Sequence, residues 1–146
     1  QFVTLFLMMI DVSRGTLRYS VAGHNPPFLV GSDPSRDRLL SSREGYPLGL
    51  FRNCKFEDIE LALHPSDTIL LYSDGLTDAP GHGNGRYGDE RLRQALNGSH
   101  GKSLPDLIHS IRIDLDTHTQ GAVAMDDVTI VGARFNNSGL VARAEE

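Results

Sequence analysis

Apolar and polar positions change rhythm along this chain, and each rhythm predicts an element. Val3 to Ile10 is almost continuously apolar and reads as a buried strand. Asp11-Val12-Ser13-Arg14-Gly15 is turn chemistry. Thr16 to Ala22 is rich in β-branched and aromatic residues, so the two runs form a hairpin. Gly23-His24-Asn25-Pro26-Pro27 breaks the pattern, and Phe28-Leu29-Val30 resumes it as a short strand. Gly31 to Asp37 is a polar turn, across which Arg38-Leu39-Leu40 pairs back. Ser41 to Asn53 is a loop. Phe56 to Leu63 alternates, with Ile59, Leu61 and Leu63 on one face and Asp58 and Glu60 on the other. That is a half-exposed antiparallel strand. Thr68 to Ser73 is a second buried strand.

The period then lengthens. Asp78 to Gly88 is a glycine-rich surface loop. Asp89 to Leu96 carries Leu92 and Leu96 at i,i+4 and predicts a short helix. Ser103 is placed to cap a helix running to Thr119, with Leu104, Leu107, Ile108, Ile111 and Leu115 as its apolar stripe and Pro105 in the tolerant first turn. Val128 to Phe135 is the last predicted strand. Asn136 to Glu146 has no pattern and reads as a frayed polar tail after a domain spanning residues 1–135. About six strands in antiparallel order, with both helices late, predict an α+β fold.

Composition adds limits. The chain has 146 residues, enough for one domain with a core, and a formal net charge of -5 with no Lys/Arg cluster, which argues against a general nucleic-acid binder. No run approaches the roughly 18 apolar residues that span a membrane. The single cysteine, Cys54, excludes an intrachain disulfide, favours a cytoplasmic setting and reads as a structural thiol.

Two acidic motifs carry the candidate chemistry. Asp74-Gly75 closes the run Thr68–Ser73, and Asp126-Asp127 opens the run Val128–Val131. If those strands are antiparallel neighbours, carboxylates 52 positions apart meet at one sheet end. Converging carboxylates repel, so they call for a cation or a shared proton. Oxygen ligands select hard divalent ions, and such ions serve phosphate chemistry. Each motif alone is also an ordinary strand-end turn. His24 sits in the break after the hairpin, where it either holds the loop through backbone carbonyls or donates to a phosphate. His82, in Gly81-His82-Gly83, reads as solvated surface.

Several of these segments occur in a telling order. They are Ala22-Gly23-His24-Asn25-Pro26-Pro27, Pro47-Leu48-Gly49-Leu50, Leu70-Leu71-Tyr72-Ser73-Asp74-Gly75-Leu76-Thr77-Asp78-Ala79, Arg86-Tyr87-Gly88-Asp89-Glu90-Arg91-Leu92 and Asp126-Asp127-Val128-Thr129. From Phe2 to about Phe135 the chain resembles the bacterial SpoIIE/RsbU-type branch of the PP2C (PPM) serine/threonine phosphatases. The resemblance implies an antiparallel β-sandwich flanked by helices, with two Mn²⁺ or Mg²⁺ ions at one end. It implies metal-holding roles for Asp74, Gly75 and Asp126, and a lesser one for Asp127, whose position is often Asn in relatives. It further implies a phosphorylated protein substrate, commonly a STAS-domain anti-sigma-factor antagonist, and an upstream sensor or receiver domain in the parent chain.

One departure from the family pattern matters. The family's first metal motif, an Asp followed by a Gly-His-Gly-like turn, precedes the segment matching Phe2–Ile10. The resemblance therefore implies the C-terminal portion of a catalytic domain, without its N-terminal strands and helices. Weak metal binding, weak or no activity of this piece alone, and self-association through uncovered edges are the expectations that follow. The rival expectation is a non-catalytic, phosphatase-like binding module.

Overall fold

A strand that is apolar on both faces must be covered on both, and that requirement organises this molecule. The computed structural model describes residues 1–81, 85–120, 122, 126–136 and 138–145. Strand β6 (Thr68–Tyr72) is the doubly covered one. It lies inside a five-stranded antiparallel sheet ordered β4 (Arg38–Leu39), β3 (Phe28–Val30), β6, β7 (Ile130–Asn136) and β8 (Gly139–Glu145). A three-stranded antiparallel sheet of β1 (Leu5–Asp11), β2 (Thr16–Ala22) and β5 (Ile59–Ala62) packs on one face of it. Helices α2 (Gly88–Asn97) and α3 (Leu104–Thr119) cover the other.

Two cores result. Between the sheets, Leu17, Tyr19, Leu29, Ile69 and Phe135 are buried together. Under the helices, Leu70, Tyr72 and Ile130 meet Leu107, Ile108 and Ile111, and those three helix residues are fully buried. Each such side chain contributes about 2 kcal/mol by leaving water. Helix α3 starts as its sequence predicts. The Ser103 hydroxyl accepts from the Asp106 N–H at 3.2 Å, and Pro105 stands in the first turn. Among the described residues no helix is long and apolar enough to cross a membrane.

Four expectations need correction. The segment Val3–Ile10 was expected to be buried, yet β1 alternates between half-buried and exposed, with Leu5, Leu7 and Met9 open to solvent. It is an edge strand of a sheet covered on one face only. Strand β5 is shorter than Phe56–Leu63, because its pairing with β2 spans only Tyr19↔Ile59 to Thr16↔Ala62. Asp74 to Thr77 is a single helical turn, α1, instead of a plain turn. The tail is not frayed: β8 pairs with β7 from Asn136↔Gly139 to Ile130↔Glu145. Residues 82–84, with His82, lie outside the described residues.

Candidate active site at one end of the central sheet

The site begins with strand register. Antiparallel pairing of β6 with β7 sets Tyr72 opposite Ile130, so the chain leaving β6 at Ser73-Asp74 runs beside the chain entering β7 from Asp126-Asp127. A clasp of three hydrogen bonds ties the two ends. The Ser73 N–H donates to the Thr129 carbonyl at 3.0 Å. The Ser73 hydroxyl donates to the Asp127 carbonyl at 3.0 Å and accepts from the Thr129 N–H at 3.0 Å. Gly75 then presses against the same segment: a Cβ there would lie 2.2 Å from the Asp127 carbonyl oxygen. No other residue type fits at 75 without moving Asp126 and Asp127.

The backbones that carry the two acidic motifs therefore lie side by side. Asp74, Asp126 and Asp127 are all exposed. One oxygen of Asp126 accepts from the Asp127 N–H at 2.9 Å, which holds that carboxylate at the strand entry. The donor set is oxygen only, the chemistry a hard divalent cation prefers. Its number is short: among the described residues no three His, Cys, Asp or Glu side chains come close enough together to hold a metal ion. The carboxylates fit a Mn²⁺ or Mg²⁺ ion in kind, as part of a ligand set.

The loop Gly23–Pro27 reaches the same sheet end. The Tyr72 hydroxyl bridges the Pro26 carbonyl and the Asp89 carboxylate, each at 3.2 Å, joining that loop to α2. Burial, and then the charge of Asp89, push the Tyr72 hydroxyl well above its ordinary pKa, so it stays a neutral donor. His24 Nδ1 lies 2.8 Å from the Asn25 carbonyl oxygen. Beside a carbonyl that nitrogen must donate, which leaves Nε2 as the free ring position. Of the two sequence-level readings of His24, the loop-holding bond is the one formed here. Gly23, at φ +71°, packs on Pro47, where an added Cβ would lie 2.5 Å from Cγ. The Gly-His-Asn-Pro-Pro and Pro-Leu-Gly-Leu motifs are thus in direct contact.

A cleft of about 320 Å³ opens beside the clasp, between α1, the C-terminal half of α3 and the adjoining ends of β7 and β8. Leu115, Val128 and Ile130 line it, and Asp126 and Asp127 form part of its wall.

Known proteins match this chain. The family model for stage II sporulation protein E (SpoIIE) covers residues 1–136. The chain belongs to the SpoIIE family. Within that family's wider company, it is 32% identical over 135 residues to Protein IcfG of Synechocystis sp., which covers 92% of this chain and 21% of that protein. It is 32% identical over 77 residues to the phosphoserine phosphatase RsbP of Bacillus subtilis, covering 53% of this chain and 19% of that one. In three dimensions it matches the SiaA-PP2C domain of Pseudomonas aeruginosa with a TM-score of 0.75 and 22% identity, over 91% of this chain and 52% of that one. The SpoIIE-family chain thus spans about a fifth of those two relatives and about half of the solved domain. It shares the PP2C fold, with the expected sandwich and flanking helices.

Ser73 was the site residue that sequence reasoning passed over. A strand-end serine next to Asp-Gly signals a turn, and only the register of a segment 54 to 56 residues away turns its hydroxyl into a clasp. The acidic cleft was also unseen, because β8, which contributes Glu145 to it, carries no burial pattern.

Proposed function

We propose that this SpoIIE-family domain removes phosphate from phosphoserine or phosphothreonine on a protein partner, with Asp74 and Asp126 as cation-holding carboxylates. The observation that supports the reading is the close approach of the Ser73–Gly75 backbone to the segment Asp127–Thr129, held by the Ser73 clasp. When bound, Mn²⁺ or Mg²⁺ would supply an activated water and neutralise phosphoryl charge. Gly75 lets the two backbone ends approach closely. The Asp127 backbone anchors the clasp, and its carboxylate extends the acidic wall. His24 stands at the rim, its orientation fixed by Asn25. The setting is cytoplasmic signalling: a relative named a phosphoserine phosphatase supports a phosphoprotein substrate, and the family resemblance makes that substrate a regulator of STAS fold.

One observation favours a second reading. The absence of a three-ligand cluster among the described residues suits a non-catalytic, phosphatase-like binding module. One experiment separates the two. Phosphate release from a phosphoserine peptide is measured with Mn²⁺, on this chain and on the longest natural chain containing it, with Asp74→Asn and Asp126→Asn beside each. The enzyme reading predicts Mn²⁺-dependent release in the longest chain that falls at least ~100-fold in either variant. Release unchanged in both variants, or none from any chain, overturns it, and the latter leaves the binding module.

A further inference from the structure

The cleft beside the clasp has a composition that selects its occupant. Its floor is apolar, from Ala79, Leu115, Val128 and Ile130. Its walls hold five carboxylates, Asp78, Asp116, Asp126, Asp127 and Glu145, against one guanidinium, Arg112. Asp78 is matched by Arg86 at 2.8 Å, which pins the two arms of the loop that follows α1. Asp116 and Glu145 come from elements unrelated to the acidic motifs, α3 and β8, and face the same space. An apolar floor gains from burying an apolar side chain. A carboxylate rim adds attraction for flanking cations and repels anions.

We propose that this cleft docks a cationic, apolar stretch of the phosphoprotein, with Lys or Arg beside a bulky apolar residue. The inference rests on the phosphatase reading and names the recognition side of the same site. Because Asp126 and Asp127 belong both to the cleft wall and to the converging sheet end, a chain held in the cleft leads straight to the carboxylates. Phosphoresidue and docking residues are then neighbours in one segment. A peptide with acidic flanks meets like charge on three sides of the cleft and is rejected.

The test uses the whole 146-residue chain and two unphosphorylated fluorescent peptides that share a central leucine, one flanked by Lys and Arg and the other by Asp and Glu. Anisotropy titration should show the basic peptide binding at least about tenfold tighter at low salt, with the gap shrinking as salt screens it. The double variant Asp116→Lys, Glu145→Lys should lose that preference while keeping the wild-type denaturant midpoint, which shows that it is folded. Should that variant misfold, Asp116→Asn alone should weaken the basic peptide by a smaller factor. Equal binding of both peptides, or a preference that survives in a folded variant, overturns the proposal. The two readings fail separately. Charge preference in this chain with no phosphate release from the longest natural chain sinks the phosphatase reading, and phosphate release without charge preference sinks only the docking site.

Discussion

The Ser73 hydroxyl donates to the carbonyl of Asp127 at 3.0 Å, across 54 positions of chain. That bond, with the return bond from the Thr129 N–H, fixes where the second acidic motif stands relative to the first. Ser73→Ala removes both and leaves a polar carbonyl and an N–H to find water. The expected cost is about 1–2 kcal/mol of stability, read as a lower denaturant midpoint. A midpoint equal to wild type would show that the clasp contributes nothing.

Gly75→Ala tests the close approach next to it. The added methyl would overlap the Asp127 carbonyl oxygen, so the entry to β7 must shift. Overpacking of this kind costs about 1–3 kcal/mol. Any Mn²⁺ affinity should fall with it, because the carboxylates separate. An alanine variant with unchanged stability and unchanged Mn²⁺ affinity would contradict the geometry.

The opposite end of the sheet has its own fixed point. Asp67 is completely buried and accepts from Arg36 at 2.7 Å and from the Ser32 and His64 N–H groups at 2.8 Å each. Burial disfavours its charge, but these three donors outweigh burial and hold the carboxyl below its ordinary value of 3.8. A lowered folded pKa means that the stabilisation is present above 3.8 and is lost as pH falls through the lowered value. Asp67→Asn leaves Arg36 facing a neutral amide. It should cost about 3–5 kcal/mol near neutral pH, with the gap from wild type narrowing in strong acid. A gap that is constant with pH would refute the charge pairing.

His100 provides a switch of opposite sign. Its two ring nitrogens face oxygen acceptors, the Asn97 carbonyl at 3.2 Å and the Asp37 carboxylate at 3.1 Å, so the doubly protonated ring satisfies both. Partial burial opposes the charge, yet the Asp37 and Asn97 bonds win and raise the pKa above 6.5. Stabilisation from this contact is full below 6.5 and fades as pH rises through the raised value. His100→Gln should flatten that part of the stability curve, by roughly 1 kcal/mol. An identical pH slope in wild type and variant would remove His100 from the account.

What the sequence revealed tracks how strongly each element is buried. The β1–β2 hairpin, β6 and α3 were legible because an unbroken apolar face or a capped apolar stripe leaves few alternatives. The five ordered motifs likewise carry the family resemblance without any geometry. Strand β8 escaped because Gly139 to Glu145 is mostly exposed, held by backbone pairing to β7 that leaves no periodic trace. The burial of β1 was overstated because an apolar run does not say whether its sheet is covered on one side or two. At the site, the adjacency of the chain leaving β6 and the chain entering β7 could be read from strand order alone. The clasp and the missing Cβ at Gly75 are matters of register within an ångström, which spacing does not encode.

Asp74 and Asp126 are proposed to act together on one cation. Mn²⁺ titration calorimetry of the wild-type chain, Asp74→Asn and Asp126→Asn tests it most directly. Weak binding by the wild type is expected, with a dissociation constant of ~1 mM, and its disappearance in both variants. Tight binding by the wild type, or binding that neither substitution alters, would contradict it.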